Sequence, residues 1–78
     1  MIKLEREDFI FEVKEELSCY EDIGQKGASE WEKGFNAKFP DIKAVSIDDE
    51  SEIFEIADEY LEALETGSVS SYWKNFKI

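Results

Sequence analysis

Nine carboxylates fall between Asp48 and Glu65, inside an interval, 44–73, that contains no Lys and no Arg. They are Asp48, Asp49, Glu50, Glu52, Glu55, Asp58, Glu59, Glu62 and Glu65, and most recur at the three- and four-residue spacings that line one side of a helix. Carboxylates in such numbers can hold a hard cation, move protons, or meet a strongly basic surface. Calcium requires a twelve-residue loop. Asp48, Glu50, Glu52 and Glu59 match loop positions 1, 3, 5 and 12, but Ile53 stands where the sharp turn needs glycine. No metal is therefore expected. Proton transfer needs a pocket as well as paired acids, and abundance alone does not make one. A binding surface remains, with Asp48, Asp49, Glu52, Glu55, Asp58, Glu59, Glu62 and Glu65 as the expected contact residues.

Other chemistry is excluded by what the chain lacks. There is no His and only one Cys, Cys19, so the Cys/His spacings of zinc sites are absent, as is a Ser-His or Cys-His nucleophile. Gly24 and Gly27 belong to no phosphate-binding glycine motif. An acyl-carrier-like reading needs an Asp-Ser-Leu attachment site opening a long acidic helix. Here Ala28-Ser29-Glu30 stands in its place, followed by a short segment that contains Gly34. The expectation is a protein without catalysis and without a cofactor.

The net charge of −11 is unevenly spread: residues 1–43 hold eleven acids and seven bases, residues 44–73 hold nine acids and no base, and Lys74 and Lys77 follow. Solvation and helix propensity explain some of this, since acids near a helix start favour the positive end of its dipole. Asp48, Asp49, Glu50 and Glu52 fit that account. Glu62 and Glu65 do not, because they lie near the negative end. Six like-charge pairs arise at i+3 or i+4, namely 52/55, 55/58, 55/59, 58/62, 59/62 and 62/65. Together they cost on the order of 1–3 kcal/mol. That is a sizeable fraction of what a small domain can have. A basic protein partner explains the burden. Direct nucleic-acid binding and an anionic membrane surface are both disfavoured by the charge.

The elements that must carry this face read as follows. Seventy-eight residues predict one small domain, 1–78, and six Phe, three Tyr and two Trp argue that it folds. Ile2 and Leu4 alternate with charge, as a short strand or arm does. From Asp8, the residues Phe9, Ile10, Val13, Leu17 and Tyr20 share one helical face; 9–13 also fits a strand with Phe9, Phe11 and Val13 on one side. Gly24 and Gly27 are expected to open a loop. Ser29-Glu30-Trp31-Glu32 reads as a capping box starting a helix with Trp31, Phe35 and Phe39 on one face, stopped by Pro40. Residues 42–47 suit a strand pairing with 2–5. A helix over about 50–65 is expected, capped by Asp48 or Asp49 and ended by Gly67. Its core stripe is Ile53, Ile56, Ala57, Tyr60, Leu61 and Leu64, with Phe54 at the edge. Ser68 is placed to cap a last helix with Val69, Tyr72, Trp73 and Phe76 on one face.

The expected fold is thus mainly α: a small bundle of three to four short helices with a two-stranded β ribbon, an α+β arrangement being the alternative. The lone Cys and the early acids of the opening segment suit a soluble, cytoplasmic protein. In size, acidity and aromatic content the chain resembles phage-encoded inhibitors of restriction or CRISPR nucleases, which act as DNA mimics, and the immunity proteins of nuclease toxins. That compositional likeness implies an inhibitor that blocks a basic nucleic-acid-binding protein by imitating phosphate charge. The alternative is a small structural or adaptor domain binding through an aromatic patch around Trp31 and Trp73.

Overall fold

Ile2 and Leu4 lie opposite Ile47 and Val45 in an antiparallel ribbon, so the apolar members of both strands share one face, on which Val45, Ile47 and Leu4 meet the core and Ile2 stays exposed at the end. The structure is a computed structural model that describes residues 1–20 and 24–77. In chain order it contains β1 (Ile2–Glu5), α1 (Arg6–Ser18), α2 (Gly24–Lys38), β2 (Ala44–Ile47), α3 (Ser51–Thr66) and α4 (Val69–Asn75). The expected mainly α bundle with its two-stranded ribbon is what forms. No helix among the described residues is long and apolar enough to cross a membrane.

Residues 9–13 are helical, and Phe9, Ile10, Val13 and Leu17 are buried as the periodicity requires. Phe11 is 61% exposed, which removes the strand reading of that run. The helix begins at Arg6, before the expected Asp8. Its guanidinium explains why: it donates to the carbonyls of Phe39 (2.6 Å) and Ile42 (2.7 Å) and to Asn36 Oδ1 (2.5 Å), and it lies 5.2 Å from the Phe35 ring centre. One side chain thus ties the start of α1 to the connection between α2 and β2.

The largest departure from the sequence reading concerns α2. It starts at Gly24, so Gly24 and Gly27 are helical and Ser29-Glu30-Trp31-Glu32 is not a capping box but an interior turn. The presumed loop closes into helix because Gly27 and Ala28 are buried, and burial outweighs the glycine propensity penalty of about 1 kcal/mol. Residues 21–23, which precede the expected loop, lie outside the described residues. Trp31 and Phe35 are fully buried and stack at 5.2 Å. Gly34 has a packing reason, since a Cβ built there would sit 2.5 Å from Trp73 Cζ2.

The stripe of α3 is rotated slightly from expectation. Ile53, Ala57, Tyr60 and Ala63 are buried, Ile56 and Leu61 are half-buried, and Leu64 is 39% exposed. The small Ala63 takes the inner place in the last turn, where α4 folds back against α3. Gly67 adopts the left-handed conformation at φ 70° and ends the helix as expected. Ser68 occupies the N-cap position of α4 without a side-chain cap; its hydroxyl meets Thr66 instead. Tyr72, Trp73 and Phe76 pack against the core, with Trp31 Nε1 donating to Tyr72 Oη (3.0 Å) and Tyr72 Oη donating to the Ile56 carbonyl (3.1 Å).

Candidate functional site: the acidic ridge of α3

Burial of one stripe of α3 turns the remaining arc outward. Glu55, Asp58, Glu59, Glu62 and Glu65 are exposed along it, and Glu52 is half-buried at its start. At 1.5 Å per residue, Glu52 to Glu65 covers roughly 20 Å. Asp48 and Asp49 are exposed in the turn just before the helix. The eight expected contact residues therefore form one ridge and its N-terminal end. Among the described residues the ion pair formed is Lys14–Glu32, at 2.6 Å, which joins α1 to α2 and involves none of them.

The N-terminal acids have local duties. The formal N-cap is Glu50, in helical conformation and without a side-chain bond, which corrects the assignment of that position to Asp48 or Asp49. Asp49 acts one residue earlier: its Oδ1 accepts from the Ser51 backbone N–H (2.8 Å) and from the Ser51 hydroxyl. The side-chain hydroxyl, then the backbone N–H, hold the Asp49 carboxyl below its ordinary pKa. Glu52 Oε2 accepts from the Asp48 N–H at 3.2 Å. The calcium alternative meets a geometric obstacle here, because Glu52 and Glu59 stand on a continuous helix rather than in a loop. Likewise Ser29 lies inside α2, not at a helix start as a carrier attachment site would.

The two flanks of the ridge differ. On one, Glu52, Glu55 and Glu59 wall a groove of about 440 Å³ whose other lining includes Ser46, Ile47, Ile56, Phe76 and Lys77. Glu59 and Glu62 continue into a second depression beside Ser71, Tyr72 and Asn75. On the other flank, Asp58 Oδ1 accepts a hydrogen bond from Tyr20 Oη, which anchors the end of α1 to α3. Sequence reasoning missed how far the negative surface extends. Glu12, Glu15 and Glu16 of α1 line a hollow together with Glu50, Ile53 and Phe54, and Phe54 is 49% exposed. The i, i+3, i+4 spacing of those three glutamates was the available signal, masked by the mixed charge of the segment around them.

The phenols supply a pH handle. The hydrogen bond to Asp58 pushes Tyr20 up to about 12, since ionising the phenol would set two negative charges together. Burial raises Tyr72 and Tyr60 as well. A folded-state pKa above the unfolded value contributes stability that is complete below the unfolded pKa, near 10, and is lost as pH rises through the folded value. Urea denaturation should therefore give a constant midpoint between pH 7 and 9 and a falling one from about pH 10 to 12. Tyr20→Phe should lessen that alkaline loss. An identical alkaline profile in the variant would show that the Tyr20–Asp58 bond contributes nothing to it.

No family model matches this chain, and no curated protein or solved structure matches it.

Proposed function

We propose that this chain is a non-catalytic inhibitor of the cytoplasm that binds a basic, nucleic-acid-binding protein and occupies its phosphate groove. A nuclease, a CRISPR or restriction effector, or a nuclease toxin has the required surface. One observation carries the reading: the α3 carboxylates form a continuous exposed ridge with no Lys or Arg paired to it among the described residues. Such a ridge offers charges at about 5.4 Å per helical turn to a partner built to hold phosphates. Association would be steered over long range and weakened by salt.

The aromatic adaptor reading has less support. Trp31 has no exposed surface, and Trp73 is half-buried against Trp31, Tyr60, Tyr72 and Phe76.

The test is a charge reversal on the free part of the ridge. Glu55→Lys with Glu62→Lys touches exposed side chains seven positions apart, about two helical turns, and spares Asp58, whose bond to Tyr20 is structural. Affinity capture from the native host should recover a basic nucleic-acid binder with the parent protein. The double variant should bind it at least about 100-fold more weakly, equivalent to about 3 kcal/mol. Its own thermal stability should hold or rise, because like-charge pairs are relieved. Full affinity in a folded double variant, or complex formation indifferent to salt, would end the proposal.

A further inference from the structure

The ribbon has an open side that the acidic ridge overlooks. Arg6 N–H donates to the Lys43 carbonyl at 2.9 Å, and Glu5 pairs with Ala44. Antiparallel pairs alternate between bonded and non-bonded, so Leu4–Val45 and Ile2–Ile47 exchange the inward bonds. The N–H and C=O of Ala44 and Ser46 then point outward, away from β1. Among the described residues neither has another backbone or side-chain partner. Edge strands of this kind are normally guarded by charge, as β1 is by Lys3 and Glu5. β2 carries only the small Ala44 and Ser46 at the corresponding positions.

Ser46 and Ile47 also line the 440 Å³ groove, where Ile47, Ile56 and Phe76 supply apolar surface and the carboxylates Glu52, Glu55 and Glu59 outnumber the single cation, Lys77. An unguarded strand edge, apolar surface and an excess of carboxylates meet in one place. We propose that an extended, Lys/Arg-rich segment of the partner protein adds to the free edge of β2 as a third strand, with alternate cations facing α3. The inference rests on the reading of the chain as a binder of a basic protein and specifies how part of that partner is held. Main-chain bonds supply affinity in strand addition, and the alternate side chains supply selectivity. A second copy of this chain is a poor occupant, because each copy carries a net charge of −11.

The probe is a blocked octapeptide of alternating Lys and Val, compared with the same peptide N-methylated at alternate residues. Both carry equal charge, and only the first can form the ladder. Nuclear magnetic resonance titration of the isotope-labelled protein should show the unmodified peptide slowing exchange of the Ala44 and Ser46 amides. The methylated peptide should bind at least about tenfold more weakly, as loss of one or two hydrogen bonds implies. Ser46→Pro, which removes an outward N–H at an edge position where proline is tolerated, should weaken the unmodified peptide to a similar degree. Equal binding of both peptides, with shifts confined to α3, would overturn the strand edge while leaving the acidic ridge as the binding surface. Binding of neither peptide would overturn it too, as would a dimer of the free protein with Ser46 already protected.

Discussion

Trp31→Ala should cost about 3–5 kcal/mol and leave much of the population unfolded at 25 °C. The indole has no exposed surface and touches four aromatic rings: Phe35 stacks on it at 5.2 Å, with Trp73 at 5.7 Å, Phe9 at 5.9 Å and Phe76 at 6.3 Å. Truncation opens a cavity where α1, α2 and α4 converge. It also takes away the donor that Tyr72 Oη accepts, and Tyr72 is the link from α4 to the Ile56 carbonyl of α3. Stability in this size class is modest to begin with. Urea denaturation followed by circular dichroism reads the loss directly. A loss below about 1 kcal/mol would mean that the α2 aromatic face is not the core, and would restore Trp31 as a candidate contact residue.

Gly34→Ala should destabilise the parent and stabilise a Trp73→Ala background. Two effects of opposite sign compete at this position. Alanine raises helix propensity by about 1 kcal/mol. Against that, its methyl would lie 2.5 Å from Trp73 Cζ2, closer than atoms approach. Trp73 cannot simply swing aside: Trp31, Tyr60, Tyr72 and Phe76 all lie within 6.2 Å of its ring centre. Overpacking of this kind costs about 1–3 kcal/mol. The clash wins in the parent, and only propensity remains once the indole is gone. A double-mutant cycle should therefore return a coupling of about 1–3 kcal/mol with a reversal of sign. The same sign in both backgrounds would show that α4 is not held by this contact.

The periodic faces of α1 and α3 were readable because each helix buries one stripe on its own, and the spacing of Phe9, Val13 and Leu17 or of Ile53, Ala57 and Tyr60 records it. The ribbon was readable from the alternation of Ile2 and Leu4 with charge and from the short β-branched run before Asp48 and Asp49. The beginning of α2 was not. Gly27 and Ser29 carry local signals for a loop and a cap, and those signals were overruled by contacts with α1 that no short window of sequence contains. Gly34 is the same lesson in reverse: a residue that weakens the helix locally is required by a tryptophan thirty-nine positions later. The acidic ridge was legible as a set of residues, since an arc opposite an apolar stripe must face outward. Its surroundings were not. The α1 carboxylates beside Glu50, the Tyr20 bond to Asp58 and the β2 edge along the groove all depend on how elements pack.

Arg6 gives the two halves of the molecule different chemical vulnerabilities. Its guanidinium keeps its charge at any pH a protein meets. Its grip on the Phe39 and Ile42 carbonyls therefore survives alkali that strips the proton from Tyr20. The Tyr20–Asp58 tie between α1 and α3 is thus revocable by base, whereas the Arg6 stitch from α1 to the connection between α2 and β2 is not. Alkali should therefore release the Tyr20–Asp58 bond while the Arg6 bonds to the Phe39 and Ile42 carbonyls stay in place.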